Sequence, residues 1–288
     1  MLYILLFIMV LVDTLKNIYY NFFGKSTMTT NKDAMLFNTI CCVGAAIYFL
    51  CIGADIHISA YSYGMAILFA LVTASAQFFQ LLGMSYGSMS FTILFAYLSM
   101  LIPTMFGVVY YGQPVNAMQI VGLVFMIVTL VLSVDTKGNS KASLKWIVVV
   151  SCCFFAYGFV GVCQQIHQSS EYANELIGFL LWTFIFSTIL FGIIFLFTPL
   201  KIGEKRGFSV KSKETFMVLG TGVMTGILNH LGLYLSGKLP SILFFPICNG
   251  GVLVLSSIAA LVIFREKLTK RQLTGVVFGI ASVLLLGM

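Results

Sequence analysis

Long apolar runs alternate with short polar turns along the whole chain, and the runs are continuous rather than alternating every second residue. A bilayer is crossed by a helix of about 20 apolar residues. Windows of that kind fall at 2–23, 33–52, 61–82, 90–111, 116–134, 144–164, 174–198, 214–236, 241–264 and 271–287. A β-barrel is excluded, because its strands alternate lipid-facing and lumen-facing residues. The pattern predicts an all-α integral membrane fold of ten transmembrane helices, with links too short for a soluble domain. The first run starts at Met1 without a basic n-region or a small-residue cleavage site, so it is expected to be a retained span.

The pattern occurs twice. Shifting the segment 240–286 back by 153 positions lays Gln272 on Gln119, Gly275 on Gly122, Phe278 on Phe125 and Ser241 on Ser88. The turn Arg265-Glu266 falls on Gly112-Gln113. Helix, tight polar turn, Gln-x-x-Gly and helix thus recur, and the polar anchors carry the argument because apolar runs align easily. The chain divides into a first five-helix repeat at 1–134, a linker at 135–143 and a second five-helix repeat at 144–288. An odd number of spans reverses the second copy, which predicts two inverted repeats around a central cavity.

Composition sharpens the class. The 288 residues are 60% hydrophobic and 9% charged, with a mean hydropathy of +1.03, far from the roughly 25% charge of a soluble domain. The net charge of +7 is not a nucleic-acid footprint. Of the 16 Lys and Arg, Lys16 lies inside span one and Lys238 in the link between spans eight and nine. The others lie at links 1–2, 5–6, 7–8 and 9–10, which share one membrane face with link 3–4. Topogenic charge explains them all, placing those links in the cytoplasm and both termini outside the cell membrane. The seven cysteines lie in apolar runs without a C-x-x-C, as small packing residues do. No phosphate loop, metal-ligand cluster or nucleophile elbow occurs, so no cofactor and no metal are expected.

Polar residues inside the spans are the candidate site. Asp13, Lys16, Asn17, Tyr20, Asn21 and Gly24 follow the spacing of one helical stripe. An intramembrane charge costs several kcal/mol unless it is paired or wetted. A self-neutralising Asp13–Lys16 pair would account for the charges, but not for the amides and the tyrosine that continue the stripe. The stripe is therefore expected to line a cavity. Gln77 and Gln80 share one face of span three, and Tyr97 lies in span four. Gln164 ends span six, Asn229, His230 and Tyr234 lie in span eight, and Asn249 in span nine. Each is costly against lipid, and turning them inward to one space waters them all. Pro103 is expected to open span four. The run Pro246-x-x-Asn249-Gly250-Gly251 is expected to unwind span nine beside the cavity. Asp33 is placed to cap span two.

The second copy, Phe264-x-Glu266-x-Leu268-Thr269-x-x-Gln272-x-x-Gly275, resembles the EamA-type bacterial branch of the drug/metabolite transporter superfamily. In the first copy Gln113 stands where that family has the glutamate. The resemblance implies a secondary transporter whose central cavity opens alternately to either side, and not an enzyme. Asp13 and Lys16 together would suit a small polar or zwitterionic, amino-acid-like solute as the partner molecule. The alternative is a proton-coupled exporter of cations, since the small multidrug-resistance branch also uses an acidic residue in its first helix. A membrane-embedded enzyme is the reading from another class, and it would need a sizeable interfacial loop with clustered His, Asp or Glu.

Overall fold

A computed structural model describes residues 1–27, 30–86, 89–133, 144–199, 212–262 and 269–288. The linker at 135–143, most of the basic link between spans seven and eight, Ser88, and the family-like Phe264, Glu266 and Leu268 lie outside the described residues. Regular structure among the described residues is entirely helical. In chain order the helices are α1 (Leu2–Thr27), α2 (Asn31–Cys51), α3 (Ala60–Tyr86), α4 (Met89–Leu98), α5 (Leu101–Tyr110) and α6 (Ala117–Ser133). There follow α7 (Leu144–Gln168), α8 (Leu176–Phe197), α9 (Ser212–Ser236), α10 (Ser241–Val262) and α11 (Lys270–Leu286). A 3-10 turn, Ala173–Glu175, leads into α8. Among the described residues, six segments are long and apolar enough to cross a membrane by themselves, and α6 and α10 contribute shorter apolar stretches.

Span four breaks as Pro103 predicts. Proline has no N–H to give the carbonyl four residues back, here that of Ser99. That carbonyl instead accepts from Ile102 N at 3.0 Å, and Tyr97 O accepts from Met100 N at 3.2 Å. Both are tight three-residue bonds, and α4 and α5 are separate helices joined at Ser99–Met100. Span nine corrects its expectation: α10 runs unbroken through Pro246, Asn249 and both glycines. Asn249 Nδ2 donates to Phe245 O at 3.1 Å on its own helix. A Cβ on Gly250 would stand 1.8 Å from Met126 Sδ, and one on Gly251 3.2 Å from Val10 Cγ1. These glycines serve close packing and leave the helix closed.

The Gln of each Gln-x-x-Gly closes a capping box. Thr269 N donates to Gln272 Oε1 at 2.9 Å while Gln272 N donates to Thr269 Oγ1 at 3.3 Å. In the first copy Gln119 N donates to Asn116 Oδ1 at 2.8 Å and Asn116 N returns to Gln119 Oε1 at 3.2 Å. Such reciprocal bonds satisfy two orphan donors at a helix start. At α2 the cap is Thr30, and Asp33, three residues on, closes the capping box by accepting from Thr30 N at 3.2 Å.

The chain forms two compact units, each drawing on both sequence halves: Met1–Thr14, Ser75–Ile166 and Leu235–Met288 in unit one, Leu15–Ala74 and His167–Tyr234 in unit two. In unit one α6 packs along α11. Ser282 Oγ donates to Gly122 O at 2.6 Å, and Phe125 and Phe278 meet edge to face. The start of α1 lies on α10, with Cys248 Sγ 3.9 Å from Met9 Sδ. In unit two the backbones of α2 and α9 touch. A Cβ on Gly222 would stand 2.3 Å from Cys41 O, and one on Gly44 2.5 Å from Leu219 O. Small residues of this kind let membrane helices approach until dispersion and weak polar contacts act. Cys41 Sγ lies 3.7 Å from Val218 O at that contact and, in unit one, Cys153 Sγ lies 3.9 Å from Ala76 O, so both thiols work as packing groups.

Candidate functional site

Unit one holds Asp13, Gln77, Gln80, Tyr97, Gln164 and Asn249 of the expected residues; unit two holds Lys16, Asn17, Tyr20, Asn21, Asn229, His230 and Tyr234. The side chains of Asn17, Tyr20 and Asn21 lie outside the described residues, although their backbone belongs to α1.

In unit one, α1 is brought against α10 by Met9 and Val10, and Asp13 follows one helical turn later. Its carboxylate lies close enough to Tyr97 of α4 and Cys248 of α10 for its charge to act on both. Residues far apart in sequence thus lie within electrostatic reach of one acid. Gln80 of α3 accepts from the Tyr157 hydroxyl of α7 at 2.5 Å, which ties an expected site amide to a neighbouring helix. Asn249 is one residue beyond Cys248, but its amide nitrogen is held by Phe245 O.

In unit two, His230 Nδ1 stands 3.2 Å from the Tyr48 hydroxyl of α2, with the Phe49 ring centroid 6.1 Å from its own. Asn229 Nδ2 donates to Thr225 O at 2.9 Å on its own helix. A second polar group occurs where sequence reasoning expected nothing. Glu175 accepts from Ser59 N at 3.1 Å and from Ser59 Oγ at 2.7 Å, at the start of α3. Beside it His167 is fully buried, stacked on Phe179 at 4.0 Å, with Nε2 3.3 Å from Ser62 Oγ. Trp182 Nε1 donates to Ile56 O at 3.0 Å, fastening the preceding loop to α8.

Sequence reasoning also missed Gln165. It singled out Gln164 as the cavity residue, but Gln165 is the buried one, bonded to two other helices. The available signal was Ser241, an anchor of the repeat and one of its partners.

Among the described residues no three His, Cys, Asp or Glu side chains converge as a metal site would require. No sequence among curated proteins matches the chain. A solved crystal structure described only as that of a protein superposes with a TM-score of 0.77, at 13% identity, over 98% of this chain and 94% of its own. At that identity the likeness concerns the fold alone. The family model described as the EamA-like transporter family matches residues 144–288, half of the chain, and its matched segment carries Thr269, Gln272 and Gly275. The chain belongs to the EamA-like transporter family, within the drug/metabolite transporter superfamily.

Proposed function

We propose that this protein is a secondary transporter that moves a small polar or zwitterionic organic metabolite across the cell membrane by alternating access. The observation that carries the reading is Asp13, an acid within the apolar helix α1 whose charge reaches Tyr97 of α4 and Cys248 of α10. An intramembrane acid marks a substrate or ion pathway far more often than a packing position. The two five-helix copies are inverted repeats around a central cavity, and Asp13 lines it with Lys16, which supplies the positive partner for a carboxylate. Two capping boxes 153 residues apart and the direct contact of Phe125 with Phe278 support that duplication.

A second reading draws on the same acid. A carboxylate beside a tyrosine face suits an organic cation, which would compete with a proton for Asp13. Flux into proteoliposomes, measured for a panel of amino acids and organic cations with and without a pH gradient, separates the two. For a zwitterion, Lys16→Gln is as damaging as Asp13→Asn. For proton-coupled cation export, Asp13→Asn abolishes gradient-driven transport, spares some downhill exchange, and Lys16→Gln is mild. Parent-like transport in both variants defeats both readings of the site.

A further inference from the structure

Three helix ends of unit one meet in a knot of hydrogen bonds apart from the Asp13 cluster. Gln165 of α7, 2% exposed, donates Nε2–H to Pro103 O of α5 at 2.7 Å. Its Oε1 accepts from Ser241 Oγ of α10 at 3.0 Å. Ser241 N donates to Gln113 Oε1 at 2.7 Å, in the turn that follows α5. The backbones are pressed together around these bonds. A Cβ on Gly107 would stand 2.1 Å from Ser241 Oγ, one on Gly158 2.3 Å from Ile102 Cδ1, and one on Gly161 2.7 Å from Pro103 Cγ. Contacts so close leave no room for water between α5, α7 and α10 at that level.

Depth separates the knot from the acid. Ser241 begins α10 seven residues before Cys248, and Pro103 follows Tyr97 by six. At about 1.5 Å of rise per residue, the knot lies about 10 Å nearer one membrane face than the Asp13 cluster. The α5 side of the seal also ends in a joint, because between α4 and α5 Met100 N and Ile102 N bond three residues back, to Tyr97 O and Ser99 O, while Ser99 N and Thr104 N keep their four-residue bonds. A short helix with a joint at its start, held by Gln165 at Pro103 three residues past that joint and by Ser241 at Gln113 beyond its other end, can move between two discrete arrangements.

We infer that Gln165 is the latch of a gate formed by α5, α7 and α10: its bonds to Pro103 and Ser241 close one face of the Asp13 cluster, and α5 opens that face by turning about Ser99–Met100. This rests on the transporter reading, so the test reads access as well as flux. Cys248, beside Asp13, is the native reporter. In protein whose other six cysteines are replaced by alanine, reconstituted in phosphatidylcholine liposomes, a membrane-impermeant maleimide is applied from each face in turn. Gln165→Ala should speed Cys248 labelling from the knot's face by about tenfold or more, with Ser241→Ala acting in the same sense and less strongly. Labelling unchanged in both overturns the gate.

A second arm reads flux instead of labelling, with folding controlled for by the reductant. Gln165→Cys with Ser241→Cys in a background free of other cysteines, oxidised to a disulfide, should cut flux of the transported solute at least tenfold, and a reductant should restore it. Full flux in the cross-linked protein overturns the gate and leaves the transporter reading standing. Faster Cys248 labelling in the variants, with no solute of the panel moved by the parent, upholds the gated access and defeats the proposed substrate class.

Discussion

The ring of Phe125 on α6 meets that of Phe278 on α11 edge to face, with centroids 5.0 Å apart and planes at 81°. The two residues occupy the same position of the two sequence copies, 153 residues apart. Equivalent residues touch each other only beside the axis that relates their copies, so this pair marks where such an axis would pass between α6 and α11. An edge-to-face pair is worth roughly 0.5–1.5 kcal/mol beyond its buried area. Phe125→Leu and Phe278→Leu should therefore be non-additive by about that amount in a double-mutant cycle read by thermal unfolding in detergent. Strict additivity would show that the rings are neighbours without coupling.

The α2–α9 contact predicts a contrast between two glycines of one helix. Gly222→Ala drives a Cβ into the Cys41 carbonyl, a backbone atom that cannot turn aside, whereas a Cβ at Gly220 meets nothing within 4 Å. Overpacking of this sort costs about 1–3 kcal/mol. Gly222→Ala should lower the unfolding temperature clearly and Gly220→Ala should leave it level or raise it. Equal effects would mean the two backbones are farther apart than described.

Glu175 fastens the loop before α3 through Ser59. Replacing it by alanine leaves the Ser59 amide and hydroxyl without that acceptor, so amide exchange across 53–59 should quicken about tenfold or more, since local opening sets exchange there. Glu175→Gln keeps one acceptor oxygen and should fall between. Parent-like exchange in the alanine variant would show that the bonds of Trp182 and Tyr63 to Ile56 O hold the loop without Glu175.

Orientation is tested by labelling. Lys and Arg at links 1–2, 5–6, 7–8 and 9–10 predict that these links, with link 3–4 on the same face, are cytoplasmic. A cysteine introduced at 169–171 should react with an impermeant reagent outside intact cells, and one at 203–211 should not. The opposite pattern reverses the whole topology.

Hydropathy alone determined the all-helical membrane class, because a span must satisfy its own backbone bonds and face lipid whatever it packs against. Helix starts were legible for a similar reason. A capping box is a bond between residues three apart, so Thr269 with Gln272 and Thr30 with Asp33 carry their geometry locally. Pro103 could be read as a break because a missing N–H removes the bond wherever that helix lies. Pro246 could not, since the same chemistry was absorbed once Asn249 bonded Phe245 O and Met126 and Val10 filled the space over Gly250 and Gly251. Periodicity put Asp13 on a polar stripe, but only the packing of α1 on α10 decided that its charge reaches Tyr97 and Cys248. Gln164 and Gln165 are adjacent amides with equal claims in the sequence. Tertiary structure buried Gln165 between α5 and α10, where the Pro103 carbonyl and the Ser241 hydroxyl, distant in the chain, supply what a buried amide requires.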